Sequence, residues 1–227
     1  MSERAHSDVV VAIDGPSGSG KSSTSRGVAA RLGLRYLDTG AMYRAMTWWL
    51  LERGVPVDDA AAVVARCDEP VIDSGTDPLA PTITADGVDV SEAIRSPEVT
   101  GAVSAVSAVP EVRARLLRLQ REAIGGGGIV VEGRDIGAVV APDAEVKVYL
   151  TADPAARAAR RAAEEGGTDL AATESSLLAR DRVDSTRAAS PLTMAAGAVH
   201  VDTTPYTLDE VVTLIVGLVE DAVEDRR

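Results

Sequence analysis

Apolar positions along this chain fall into two rhythms, and the alternation between them sets the expected fold. Short, nearly unbroken β-branched runs recur at "VVVAI" (9–13), "IVVEG" (129–133), "EVKVYLTA" (145–152) and "AVHVDTT" (198–204). Runs this short and this apolar predict buried strands. A further short strand is expected at 35–37. Helical stretches separate them. Lys21–Leu32 reads as a helix stopped by Gly33, and "DTGAMYRAMTWWLLERG" (38–54) as one ended by Gly54. "DDAAAVVARC" follows with Asp58 or Asp59 as its N-cap. Two helices, "SPEVTGAVSAVSAV" and "PEVRARLLRLQREAI", meet at Pro110, a residue suited to a first helical turn. Four glycines (125–128) then break the chain. Arginine-rich helices are expected at Pro154–Glu165 and 169–183, and "LDEVVTLIVGLVEDAVE" closes the chain as an amphipathic helix.

Strands alternating with helices predict an α/β fold, a parallel sheet covered on both faces. One stretch breaks the alternation. Around 70–90, "EPVIDS", "PTITAD" and "VDVSEAI" read as short β-rich pieces, with Asp86-Gly87 as a hairpin turn. They predict an insertion with its own small sheet.

Composition narrows the function. The 227 residues carry a formal charge of −12, which disfavours long nucleic acid or an anionic membrane as partner. A small phosphate-bearing ligand needs only a local basic cluster. The start "MSERAHSDVV" has no apolar signal core and no apolar run is long enough to span a bilayer, so the expected compartment is the cytoplasm. A single cysteine, Cys67, allows no intrachain disulfide and reads as a buried thiol. The chain has no asparagine and two histidines, His6 in the expected tail and His200 in an expected strand. Chemistry here is therefore expected to run on Lys, Arg, Asp, Glu, Ser and Thr.

Against that background "GPSGSGKS" (15–22) stands out. It satisfies G-x-x-x-x-G-K-[ST] between a strand and a helix, the context of a nucleoside-triphosphate-binding phosphate loop. Glycines let the backbone curl so that successive amides face a phosphate, and the helix dipole adds to them. The expected nucleotide contacts run through Gly15, Pro16, Ser17, Gly18, Ser19, Gly20, Lys21, Ser22 and Ser23. Only two lysines occur among 23 basic residues, Lys21 and Lys147. A compact ammonium at position 21 suits such a cradle better than a broad guanidinium. The Ser22 hydroxyl is the expected Mg²⁺ ligand beside a nucleoside triphosphate.

The loop alone does not separate a kinase from a switch GTPase or a motor ATPase. A base-reading GTPase motif requires an asparagine, which this chain lacks. Instead arginines recur in short motifs: "LDTGAMYRA", "SEAIRSPEVTGAVSAVSAVPEVR", "VEGRDIGAVVAPDA", "RAARR" and "RDRVDSTRAASPL". In order and spacing, these and the phosphate loop resemble the bacterial cytidylate kinases, from about Val9 to the last helix. The resemblance implies a nucleoside monophosphate kinase fold in a single domain. Its core would lie at about 8–37, 125–152 and 188–227, its monophosphate-binding region at about 38–124, and a mobile lid at about 153–187. It implies transfer from ATP, as co-substrate, to CMP or dCMP by a monomer.

Carried over position by position, the resemblance places Thr39 and Arg44 in the first substrate segment, where Arg44 holds the acceptor phosphate and Thr39 stands where many relatives have Ser. Ser104 and Arg113 fall on the cytosine side, Arg134 on phosphate and Asp135 on the base. Cytosine carries an exocyclic amino donor that a carboxylate can accept, whereas uracil offers a carbonyl there. Arg180 and Asp184 match sugar-side positions and Arg187 a phosphate ligand. Arg157, Arg160 and Arg161 match the lid, with Lys21, Arg134, Arg157 and Arg160 expected to serve the transfer. Glu132 reads either as a strand cap or as a neighbour of the metal's water shell, and Asp14 is open between that shell and a structural role. Trp48, Trp49 and Tyr43 read as packing. Gly166-Gly167 is the expected flexible point of the lid, whose closure would exclude water. Two rival readings are a related kinase for UMP or another small acceptor, and a nucleotide-dependent switch with no second substrate.

Overall fold

The computed structural model describes residues 6–165, 169–186 and 192–226. Arg187 and Gly166-Gly167 lie outside the described residues.

Two compact units divide the chain: 1–36 together with 126–227, and 37–125. In the first, the apolar runs form strands β1 (Val10–Asp14), β6 (Ile129–Gly133), β7 (Val146–Thr151) and β8 (Val199–Asp202). With β2 (Arg35–Asp38) they make a five-stranded sheet in the order β2-β6-β1-β7-β8. Pairing is parallel at β1–β6, β1–β7 and β7–β8, with Asp14 opposite Gly133 and Tyr149 at the carboxyl ends. In such sheets ligands bind beyond those ends, where crossovers diverge from a central strand. β1 is that strand.

One face of the sheet is covered by α1 (Lys21–Leu32) and α8 (Leu208–Glu224). Val11, Ile13, Val28, Val148, Val212 and Ile215 share one buried cluster. Helix α1 approaches α8 closely because residue 27 is glycine: a Cβ there would lie 2.7 Å from a methyl of Val212. Helix α8 starts with a reciprocal capping box between Thr207 and Glu210, which satisfies two otherwise orphaned amides. Helices α6 (Pro154–Glu165) and α7 (Leu170–Thr186) belong to the same unit. After β6 the backbone makes a π-helical turn, Ile136–Val140, where the sequence pattern announced no element. His6, expected in a tail, is buried, and its carbonyl accepts the Val9 amide at 3.1 Å.

The second unit holds α2 (Thr39–Glu52), α3 (Ala60–Arg66), α4 (Pro97–Ala108) and α5 (Pro110–Ile124). Asp38, Asp59 and Ser96 cap the first, second and third of these with side-chain oxygens. Strands β3 (Ile72–Ser74), β4 (Ile83–Ala85) and β5 (Val88–Asp89) form a separate antiparallel sheet around the Asp86-Gly87 turn. "VDVSEAI" is less extended than its apolar alternation suggests. The Asp89 side chain accepts the Ser91 amide at 2.9 Å, ending the strand, and Ala93–Arg95 coils into a 3-10 turn.

Polar ties hold this insertion together. Asp86, at φ 51°, accepts Trp49 Nε1 at 2.6 Å, the Val71 amide at 2.8 Å and Arg53 Nη2 at 3.0 Å. Arg53 also stacks 3.7 Å from the centroid of the buried Trp49 ring. Arg115 donates to the carbonyls of Cys67 and Pro70. Cys67 is buried, and burial pushes its thiol pKa up.

Candidate active site

The phosphate loop runs from the end of β1 into α1. Gly15 has φ 150°, and a Cβ there would fall 2.1 Å from the Leu150 carbonyl oxygen, so no other residue fits. Gly20 closes the loop in the left-handed region (φ 87°), and no side chain caps the first amides of α1. Those amides and the dipole behind them favour an anion. Ser19 Oγ is fully buried and has no hydrogen-bond partner among the described residues. An orphaned hydroxyl inside the glycine-rich loop is a polar group that a phosphate would satisfy.

Lys21 is buried and its Nζ donates to the Pro16 carbonyl at 2.8 Å. Burial lowers its pKa to about 7, with the Arg134 charge adding to the effect and Glu132, Asp181 and Asp14 opposing it. Phosphate charge in the loop would favour the ammonium form. Ser22 is exposed, and its hydroxyl donates to Glu132 Oε2 at 3.0 Å, while Tyr36 OH donates to the other Glu132 oxygen. The Glu132 carboxylate thus meets Ser22 at the start of α1. Two hard oxygen donors at the helix start fit a Mg²⁺ that arrives with a nucleotide, since such an ion takes only one or two protein ligands. Among the described residues no group of three or more His, Cys, Asp or Glu could hold a metal.

Asp14 has a structural task. Its two oxygens accept the amides of Ile136 and Gly137, each at 2.8 Å, at the start of the π-helical turn. Burial pushes its pKa up to about 6, against those two bonds. The turn so fixed carries Arg134 and Asp135. Arg134 donates Nη1 to the Gly15 carbonyl at 2.9 Å and Nε to Asp184 Oδ2 at 2.8 Å. Asp135 is buried at the head of the turn, where its carbonyl accepts the amide of Val139 at 2.8 Å.

Helices α6 and α7 bring further arginines to the loop. Arg157 is buried and donates Nη1 to the Ser17 carbonyl at 3.1 Å and to Asp181. Arg160 lies beside Gly20 but is bonded to Thr203, through its carbonyl and hydroxyl at 2.8 Å each. Arg161 is half-buried. Burial and the Arg134 charge lower the pKa of Arg180, whose Nε has no hydrogen-bond partner among the described residues.

The remaining expected residues belong to the insertion unit. Thr39 is buried at the start of α2. Arg44, five residues further on, donates to the Ile94 carbonyl and to Thr100 Oγ1, both at 2.9 Å. Ser104 sits on α4, and its carbonyl accepts Ser107 Oγ at 3.0 Å. Arg113 on α5 is buried, donates to the Ser107 carbonyl at 3.2 Å and lies over the Tyr43 ring. The structure thus gathers Lys21, Arg134, Arg157, Arg160 and Asp184 around one loop. It gathers Thr39, Arg44, Ser104 and Arg113 on α2, α4 and α5 of the other unit.

Sequence reasoning missed Asp181, Thr203 and Tyr36 as partners of this machinery. For Asp181 a signal existed: in "RDRVDSTR" it precedes Asp184 by three residues, which puts both carboxylates on one face of α7.

A parallel sheet whose central strand empties into a glycine-rich, lysine-bearing loop, with arginines gathered around it, defines a phosphate-loop kinase. The chain belongs to the cytidylate kinase family. The sequence profile of that family, described as "Cytidylate kinase", matches residues 11–221. A curated protein of that name from Streptomyces griseus is 60% identical over 220 residues, covering 96% of this chain and 95% of its own length. Another from Nocardia farcinica is 56% identical over 209 residues, covering 90% of each. Among solved structures, an uncharacterized protein from Eubacterium ventriosum superposes with a TM-score of 0.53 at 10% identity, over 94% of this chain and 99% of its own, a likeness of fold alone.

Proposed function

We propose that the chain transfers the γ-phosphate of Mg-ATP to CMP or dCMP, yielding ADP and CDP or dCDP. One observation carries the reading: buried Lys21 opens a helix whose first amides no side chain caps, directly after the glycine-rich loop, in a chain similar to curated cytidylate kinases over nearly its full length. Phosphoryl transfer asks the protein for positioning and charge neutralisation more than for covalent chemistry. The loop amides and Lys21 would hold the donor's outer phosphates. Ser22 would ligate Mg²⁺, with Glu132 beside it, and the ion would offset phosphate charge. Arg134, Arg157 and Arg160 would neutralise the migrating group. A monophosphate acceptor is already an anion, so no general base is required, in keeping with a chain of two histidines.

For the acceptor, Arg44 would take the phosphate and Thr39 would add a hydroxyl contact, Ser104, Arg113 and Asp135 would meet the cytosine, and Arg180 and Asp184 the sugar. Arg187 would add a phosphate contact. Bound substrate would then replace the bond that Arg134 now makes to Asp184. The reading extends to a monomer working on pyrimidine nucleotides in the cytoplasm. Among the described residues no helix is long and apolar enough to cross a membrane.

The test is an ADP-release assay with Mg-ATP across CMP, dCMP, UMP and shikimate, for wild type and Asp135→Ala. Wild type is expected to prefer CMP and dCMP over UMP. The variant is expected to narrow that preference by about tenfold, the worth of a buried acceptor left facing the wrong partner. Nucleotide binding without any acceptor phosphorylation would support the switch reading instead, and an unchanged CMP/UMP ratio would remove Asp135 from base recognition.

A further inference from the structure

Three hydrogen bonds close a ring on the phosphate loop. The Ser17 amide donates to Asp181 Oδ1 at 3.0 Å. Asp181 Oδ2 accepts Arg157 Nη1, and the same Nη1 donates to the Ser17 carbonyl at 3.1 Å. One residue of the loop is thereby held at both its amide and its carbonyl by a carboxylate from α7 and a guanidinium from α6. The backbone of α6 also rests on the loop: a Cβ added at Gly18 would meet Arg157 Cβ and the Arg157 carbonyl oxygen at 3.2 Å each.

The side chains of Arg157 and Asp181 are only 6% and 15% exposed, so neither charge is left to solvent. A buried guanidinium stripped of its carboxylate would seek another anion or turn toward water. While the ring is closed, Nη1 is committed and the planar group has a fixed direction. Nε stays buried with no hydrogen-bond partner among the described residues. A guanidinium held at one corner beside the phosphate loop, with a buried donor uncommitted, is arranged to receive a phosphoryl oxygen.

From this geometry we infer that Asp181 is a positioning residue for phosphoryl transfer. It fixes Arg157 against Ser17 so that the guanidinium meets the migrating phosphate without first reorganising. The inference rests on the reading of Arg157 as a transfer residue and goes beyond it by naming the carboxylate that sets its orientation. Preorganised charge contributes to the transition state more than to ground-state binding. Loss of Asp181 should accordingly appear in kcat and leave the acceptor's KM nearly unchanged.

The test is a double-mutant cycle in steady-state CMP phosphorylation, with wild type, Asp181→Ala, Arg157→Ala and the double variant, each checked by thermal melting. Asp181→Ala and Arg157→Ala are each expected to lower kcat by about tenfold to a hundredfold, with KM for CMP within about twofold of wild type. If Asp181 acts through Arg157, the double variant is no slower than Arg157→Ala alone. Should Asp181→Ala not fold, Asp181→Asn takes its place in the cycle. That variant keeps one acceptor oxygen while its amide faces a donor, and an intermediate kcat is expected. A double variant slower by the product of the two single effects would overturn the inference and leave Asp181 a general staple of α7. A normal kcat in Asp181→Ala would also overturn it. A slow Asp181→Ala beside a fully active Arg157→Ala would remove Arg157 from the transfer step and the positioning role with it.

Discussion

The two units of this protein are held together by different means. In the core, β-branched strands form a parallel sheet, and burial of Val11, Ile13, Val148, Val212 and Ile215 stabilises it. In the insertion the sheet has only three short strands, and side chains bonded to main chain or to one another carry much of the order. Asp86 gathers an indole, an arginine and an amide, and Arg115 ties two carbonyls. The difference teaches where function can be altered at little structural cost. Lys21 at the phosphate loop stands on a frame built by apolar burial, so changing it should affect chemistry first. Polar groups in the insertion include parts of the frame itself.

The largest effect expected from this contrast is at Lys21. Lys21→Ala should reduce kcat for phosphoryl transfer by about a thousandfold or more. The core owes little to the single bond from Nζ to the Pro16 carbonyl, so the thermal midpoint should stay close to wild type. Near-normal turnover, or collapse of the fold, would break the comparison from the core side.

A smaller effect of the opposite kind is expected at Asp86. Asp86→Ala would leave the buried Trp49 Nε1 without its acceptor and force alanine into the left-handed region. A loss of about 1–3 kcal/mol in urea unfolding is expected, by analogy with other stranded buried donors. Asp86→Asn tolerates positive φ and keeps an acceptor oxygen, so most of that stability should return. Equal losses in both variants would show that charge, rather than acceptor geometry, holds the turn.

The same contrast explains what the sequence made legible. Strands β1 and β6 were readable because burial on both faces demands uninterrupted apolar runs, and glycine stops such as Gly33 are local signals. The phosphate loop was readable because few residue types suit its backbone, as the Leu150 carbonyl beside Gly15 illustrates. Elements set by tertiary hydrogen bonds were not. The π-helical turn after Asp135 depends on Asp14, more than a hundred residues away in the chain. "VDVSEAI" alternates like a strand until the Asp89–Ser91 bond ends it. Asp181 was one of many carboxylates in an acidic chain until α7 set it against Ser17.

The most direct test of this division of labour is a steady-state analysis of Arg44→Ala, with CMP and ATP varied separately. Arg44 belongs to the insertion, on α2, and is assigned here to the acceptor phosphate, whereas the loop assigned to ATP belongs to the core. KM for CMP should rise by about tenfold to a hundredfold, the worth of one charge-assisted phosphate contact, while KM for ATP stays within about twofold. A variant in which both constants rise together, or in which only that for ATP changes, would contradict the account.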